Sequence, residues 1–306
     1  MPPTVRRPGL PRRCAPAAVA VLAVVLTGCG DLPGLDAAAP VPGTLPSAAA
    51  EGPAGGSPAT TMVPVYWIGA GDGDHRLFRE FRDGPAGPGT VDPIGAAARL
   101  LTVSAPADPD YRSLWLPART VGSSMSPDGT ITVDLPAGAF RPRLTEEEGR
   151  LALQQLAHTV TAAAATAGLL PTGSDPAVTV LVDGEPGRVV FGSVRLDEPV
   201  RPDRALAAPA QLATPQHGAR SAGTLTVSGR LLEGARGARW TVEERDAPPG
   251  APVSSGTVAA GPRDGEPVSF EAHVLLPPGE YVVTVVARDD EGRTVRDDKE
   301  VVVLPR

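Results

Sequence analysis

The hydrophobic period of this chain changes once along its length, and that change limits the folds open to it. From about residue 62 to residue 182 apolar residues recur at both helix and strand spacing, whereas from about residue 225 onward they recur only at alternate positions. A helix buries a stripe of period 3.6 and a strand buries one face with period 2. The chain therefore reads as an α+β domain, with two helices on a small mixed sheet, followed by an all-β sandwich. Its 306 residues suffice for two such domains and their connecting segments.

In the first region Met62 to Ile68 reads as a strand, closed by the turn signal Gly69-Ala70-Gly71-Asp72-Gly73. Leu77 to Phe81 fits the second arm of a hairpin or one turn of helix, and we read it as strand. Asp92-Pro93 opens a helix with an N-cap carboxylate and a proline at the first helical position. Its apolar face is Ile94, Ala97, Ala98 and Leu101. Thr130 to Leu135 alternates, which puts Ile131, Val133 and Leu135 on one side. Thr145 and Glu148 make a capping box for a second helix, with Leu153, Leu156, Ala157, Val160 and Ala164 on its buried face and Gly168 at its C-terminal end. Glu146, Glu147 and Glu148 fall in its first turn, where negative charge complements the macrodipole. Ala177 to Val182 is apolar on both faces, which predicts a central strand under helices, and Asp183-Gly184 turns the chain after it.

The second region carries short alternating runs at Leu225 and Val227, at Trp240 and Val242, from Val268 to Val274, from Tyr281 to Ala287, and at Val301 and Val303. Gly and Pro turns separate them, the spacing expected of a sandwich. Tyr281 follows Pro277-Pro278-Gly279-Glu280, a placement similar to the tyrosine corner of immunoglobulin-like folds. Asp289-Asp290-Glu291-Gly292 falls in a hairpin turn and lacks the alternating oxygen pattern of a calcium loop. Residues 201–222, rich in Ala, Pro and Arg, read as a linker.

Both cysteines, Cys14 and Cys29, lie ahead of these domains, so no disulfide can staple either one. Residues 1–28 have the three-part plan of a secretory signal, with a basic stretch to Arg13, an apolar run from Ala15 to Leu26 and small residues before Cys29. That run has 12 residues, short of the roughly 20 that span hydrocarbon as a helix. Leu26-Thr27-Gly28-Cys29 resembles the bacterial lipobox, and the resemblance implies lipid attachment at Cys29 after cleavage ahead of it. Each buried methylene contributes about 0.8 kcal/mol, and two or three acyl chains hold stably where one short chain does not. The expected partner is therefore the lipid bilayer, reached through acylated Cys29, on the extracytoplasmic face of the cell membrane. Twin arginines at Arg6-Arg7 and Arg12-Arg13 match the Tat pattern incompletely, so general secretion is expected. From Gly30 to Thr60, 22 of 31 residues are Gly, Pro, Ala or Ser, too little apolar surface to offset the entropy of ordering. Residues 29–61 thus read as the lipidated cysteine and a flexible tether spanning on the order of 30 Å.

Arg6, Arg7, Arg12 and Arg13 are the only charges ahead of Cys29, so removing them takes the formal charge from −7 to −11. Such a balance disfavours nucleic acid, whose binding rests on Lys and Arg meeting phosphates. Lys299 is the sole lysine, and no Gly-x-x-x-x-Gly-Lys loop is present for a nucleotide. His75, His158, His217 and His273 show no metal-ligand spacing, so neither a metal nor a cofactor is expected. His158 falls near the apolar face of the second helix and reads as a partly buried or capping histidine. Gly122-Ser123-Ser124-Met125 lacks the glycine that completes a nucleophile elbow. No catalytic residue is assigned, and a non-enzymatic protein is expected. The competing reading is a protein that binds cell-wall glycan or hydrolyses it with paired carboxylates such as Asp134 and Glu146.

The order of elements over residues 62–200 resembles a GerMN domain, the module of sporulation and spore-germination proteins and related lipoproteins. The matching residues are Val63-Pro64-Val65-Tyr66-Trp67, the helix from Asp92 to Val103, Asp128 to Leu135, His158-Thr159-Val160 and Val180 to Gly184. The family's glycine-proline after the first helix is replaced by Ala105-Pro106-Ala107, and the segment to Trp115 is irregular. Residues 223–306 resemble the immunoglobulin-like domain of bacterial spore germination through Val227-Ser228-Gly229-Arg230 and Leu276 to Tyr281. The resemblance implies a binding or scaffolding lipoprotein with an envelope protein or cell-wall partner, and a link to sporulation or germination.

Overall fold

The computed structural model describes residues 62–305 apart from 72–73, 85–91, 142, 172, 249 and 261–266. The signal, Cys29 and the tether lie outside the described residues.

The apolar run at the start of the first domain forms β1 (Met62–Ala70), and β2 (His75–Asp83) pairs with it antiparallel, Met62 opposite Asp83 and Ala70 opposite His75. The hairpin reading of Leu77 to Phe81 is the one adopted. Helix α1 (Pro93–Val103) starts where Asp92 accepts hydrogen bonds from the N–H groups of Ile94 and Gly95 at 3.1 and 3.0 Å. The chain then makes β3 (Gly122–Met125), β4 (Ile131–Leu135), α2 (Glu146–Thr166) and β5 (Val178–Val182). The Thr145–Glu148 capping box is formed, and Gly168 takes a positive φ of 69° just past the helix end. Helix α2 covers β1 and bonds it directly, because Thr159 Oγ1 accepts the Tyr66 N–H at 3.0 Å and Gln155 Nε2 donates to the Tyr66 carbonyl at 2.9 Å.

Strands β3, β4 and β5 form a mixed sheet in that order, with β4 antiparallel to β3 and parallel to β5. The central strand is therefore β4, and β5 lies at the edge, against the expectation from its apolar composition. The crossover through α2 sets β5 beside β4, while β3 already occupies the other flank. Away from β4, β5 makes isolated bridges alone, between Val178 and Val200 and between Val182 and Glu185, and its burial alternates as on a strand covered on one face. The short strands β6 (Val189–Val190) and β7 (Val194–Arg195) follow, and Phe191 between them packs on Trp115 and Phe140 at centroid separations of 5.4 and 5.3 Å.

The second domain contains β8 (Ala210–Thr214), β9 (Ala219–Ala222), β10 (Thr224–Leu231), β11 (Ala238–Glu244), β12 (Ser254–Val258), β13 (Val268–Leu275), β14 (Gly279–Arg288) and β15 (Thr294–Leu304). They form two sheets, β13-β10-β8 and β12-β11-β14-β15-β9, facing each other over Leu212, Val227, Val242, Val283 and Val301. This is the expected sandwich. Tyr281 Oη donates to the Pro277 carbonyl at 3.0 Å, so the tyrosine corner is formed. The structure differs from the sequence reading over residues 201–222. Their composition is that of a linker, yet β8 and β9 lie within them and edge the two sheets, with Gln211 and Leu212 fully buried.

No free connection separates the domains. The Ala208 N–H donates to the Leu77 carbonyl at 2.9 Å, Arg230 Nη2 donates to Tyr66 Oη at 2.7 Å, and Val295 of β15 packs in the core of the first domain. The described residues all fall within one compact unit.

Candidate functional site

Two features arise at this junction, a buried polar cluster and an open groove. The cluster begins in the irregular segment after α1. There the N–H groups of Ala107 and Asp108 donate to the buried Glu80 carboxylate at 2.9 Å each, which fixes the loop against β2. Asp108 is thereby presented to β15, where alternation puts Val295, Asp297, Lys299, Val301 and Val303 on the inward face. Lys299 Nζ donates to Asp108 Oδ2 at 2.6 Å and to Tyr111 Oη at 2.7 Å, and Asp297 Oδ1 lies 2.7 Å away. Tyr111 Oη in turn donates to Asp297 Oδ1 at 2.7 Å, and Asp297 Oδ2 accepts the Leu212 N–H at 2.9 Å. The three charged groups are 1–3% exposed. Burial pulls the Lys299 ammonium down, but the charges and hydrogen bonds of Asp297 and Asp108 outweigh it and hold the group above the ordinary lysine value. Burial, reinforced by Asp297, pushes the Tyr111 hydroxyl up. Sequence reading passed over this cluster, although two charged residues on the inward phase of a strand were a readable signal.

The groove opens between the β1–β2 turn, the first turns of α2, the 203–206 segment and the turn between β14 and β15. It encloses about 1180 Å³. Arg76 and Arg293 form one wall. Arg76 pairs with Asp74 at 3.3 Å and Asp289 at 3.2 Å, and Arg293 pairs with Asp74, Asp289 and Glu291 at 2.5, 2.8 and 2.6 Å. Burial raises the Asp289 carboxyl, and the hydrogen bonds and charge of Arg293 more than offset it, leaving the group below the ordinary carboxylate range. Helix α2 also lines the groove, where Glu146 pairs with Arg150 at 2.5 Å and Glu147 belongs to the lining. The walls thus carry both signs of charge and are held by residues of both domains.

The residues singled out from sequence fall in separate places. His158 Nε2 lies 2.9 Å from the Asp203 carbonyl, and its ring packs on Tyr66 at a centroid distance of 5.3 Å. Burial lowers its pKa to about 4, so it is a neutral core histidine. Ser123 Oγ donates to the Asp92 carboxylate at the start of α1. Asp134 accepts the Gly184 N–H at 2.9 Å beyond β5, while Glu146 bonds Arg150 on α2, so each carboxylate holds local structure. The Asp289 turn spends its carboxylate on Arg76 and Arg293. Among the described residues no group of three or more His, Cys, Asp or Glu is placed to hold a metal ion, and no helix is long and apolar enough to cross a membrane.

Residues 64–188 match a family model described as Germane, sporulation and spore germination. No curated protein matches the chain. Among solved structures, CopC from Methylosinus trichosporium OB3b is 21% identical with a TM-score of 0.25, over 32% of this chain and 95% of that one. Fibronectin(III)-like modules of Clostridium thermocellum CbhA are 16% identical with a TM-score of 0.22, over 31% of this chain and 96% of theirs. The tandem GerMN domains of the sporulation protein GerM from Bacillus subtilis are 14% identical with a TM-score of 0.34, over 69% of this chain and 60% of that one.

Proposed function

Taking residues 64–188 as a Germane domain, we propose that this protein is a non-enzymatic binding module of the cell envelope, held on the extracytoplasmic face of the membrane through acylated Cys29 and serving sporulation- or germination-type processes. Its binding surface is the groove, and its partner is an envelope protein or the cell wall. The observation that carries the reading is that both domains build the groove, with Arg76 and Glu147 from the first and Arg293 from the second. Charged groups already fixed by mutual ion pairs need no reordering when a partner docks, and complementary charge across an interface sets register and excludes wrong partners.

A photo-crosslinking amino acid placed at Glu147 tests this in intact cells, with Leu275 on β13, 71% exposed, as the control position. The reading expects a discrete adduct from position 147 and none from position 275. Equal capture at both positions contradicts the groove assignment, and soluble fragments released from cell-wall material by the purified protein contradict the non-enzymatic one. Mass spectrometry of the native N-terminal peptide checks the anchor, which fails if the Cys29 thiol is free.

A further inference from the structure

The groove makes no use of the Lys299 cluster, and its chemistry is out of keeping with a plain ion pair. Of the 28 basic residues in the chain 27 are arginine, yet among the described residues the one paired with two carboxylates that are themselves almost fully buried is lysine. Arginine suits a buried pair better, because its planar fork bonds two oxygens and is weakly hydrated. What lysine offers instead is a primary amine that can lose a proton and act as a nucleophile. The only side-chain amine of the protein stands 2.6 Å from a carboxylate 191 residues away in the other domain.

We propose that Lys299 and Asp108 condense to an intramolecular amide, an isopeptide cross-link that joins the sandwich to the Germane domain, with Asp297 carrying the proton. In the ion pair one ammonium proton passes to Asp108 Oδ2, which leaves an amine beside a carboxylic acid. Nζ attacks Cγ of Asp108. Asp297 Oδ1, 2.7 Å from Nζ, takes a second proton from the nitrogen and delivers it to the departing hydroxyl. The Nζ–Cγ bond forms, the C–O bond breaks and one water leaves. The nitrogen keeps one of its three protons, the other two depart with a single oxygen, and Asp297 ends as the carboxylate it began. Neither an oxidant nor a reductant is consumed.

The surroundings hold the reacting groups in place. Asp297 is aimed by the Tyr111 hydroxyl on Oδ1 and the Leu212 N–H on Oδ2. His217 Nδ1, buried and without a hydrogen-bond partner among the described residues, lies 3.8 Å from Asp108 Oδ2, the oxygen that leaves. Groups held in contact by the fold react with effective molarities that reach 10⁵ M or more, on the order of those of oriented intramolecular reactions. Condensation also replaces two desolvated charges by a neutral amide, which removes the penalty of burying them. Neither domain contains a cysteine, so this bond would do what a disulfide does elsewhere, closing a long loop of the unfolded chain.

The test is the mass of the purified, denatured, full-length mature protein, which does not depend on the assigned function. The expected mass is lighter by one water than sequence and acylation require. Trypsin should fail to cut after Lys299, and the fragment 100–112 should emerge joined to 297–306. Lys299→Arg and Asp297→Ala are expected to restore the full mass; should either fail to fold, the wild-type mass and digest decide alone. An unshifted wild-type mass with cleavage after Lys299 overturns the proposal. So does a water loss mapped to a Lys299–Asp297 bond or to an Asp-Gly step such as Asp128-Gly129.

Discussion

His158 shows how a single residue ties this fold to pH. It is 7% exposed and held neutral, with a pKa lowered by burial to about 4 from an unfolded value of 6.5. Above pH 6.5 both folded and unfolded chains carry it uncharged, and it adds no pH dependence. Below 6.5 the unfolded chain takes up a proton that the folded one refuses, so stability falls as the medium is acidified toward pH 4. At 1.36 kcal/mol per unit the loss reaches about 2 kcal/mol by pH 5. Urea unfolding at pH 7 and pH 5 is expected to show it, and His158→Gln to flatten the difference. An unchanged slope in the variant assigns the acid sensitivity to other groups.

At the scale of elements, what was legible in the sequence was whatever a residue settles with near neighbours. Asp92 caps α1 through N–H groups two and three residues on, Thr145 and Glu148 cap α2 across one turn, and Tyr281 bonds a carbonyl four residues back. Replacing Thr145 by Ala should cost about 1 kcal/mol, read as a lower urea midpoint with an unchanged slope. The misreadings share the opposite property. β9 is a strand because Ala219 to Ala222 lie parallel to Val301 to Leu304, and β5 is an edge because β3 claims the far side of β4. Neither fact is written in the segment it concerns. The Lys299 cluster was half legible, since the inward phase of Asp297 and Lys299 follows from alternation along β15, but Asp108 reaches them only through the irregular loop after α1. The groove was not legible at all, because its walls come from turns far apart in sequence.

Across the whole molecule, the contacts between the domains decide how it behaves. Asp108, Asp297, Lys299 and Tyr111 close a buried polar network across the junction, Arg230 reaches Tyr66, and Arg293 and Asp289 meet Asp74 and Arg76 beside the groove. Breaking a buried charge cluster by deleting one partner costs roughly 3–5 kcal/mol, because the remaining charges are left without compensation. Neither domain is therefore expected to unfold while the other stays intact, and the groove between them keeps its shape. Scanning calorimetry of the protein tests that unity most directly. The expected result is a single transition whose calorimetric and van't Hoff enthalpies agree; two resolved transitions, one for the first domain and one for the sandwich, would contradict it.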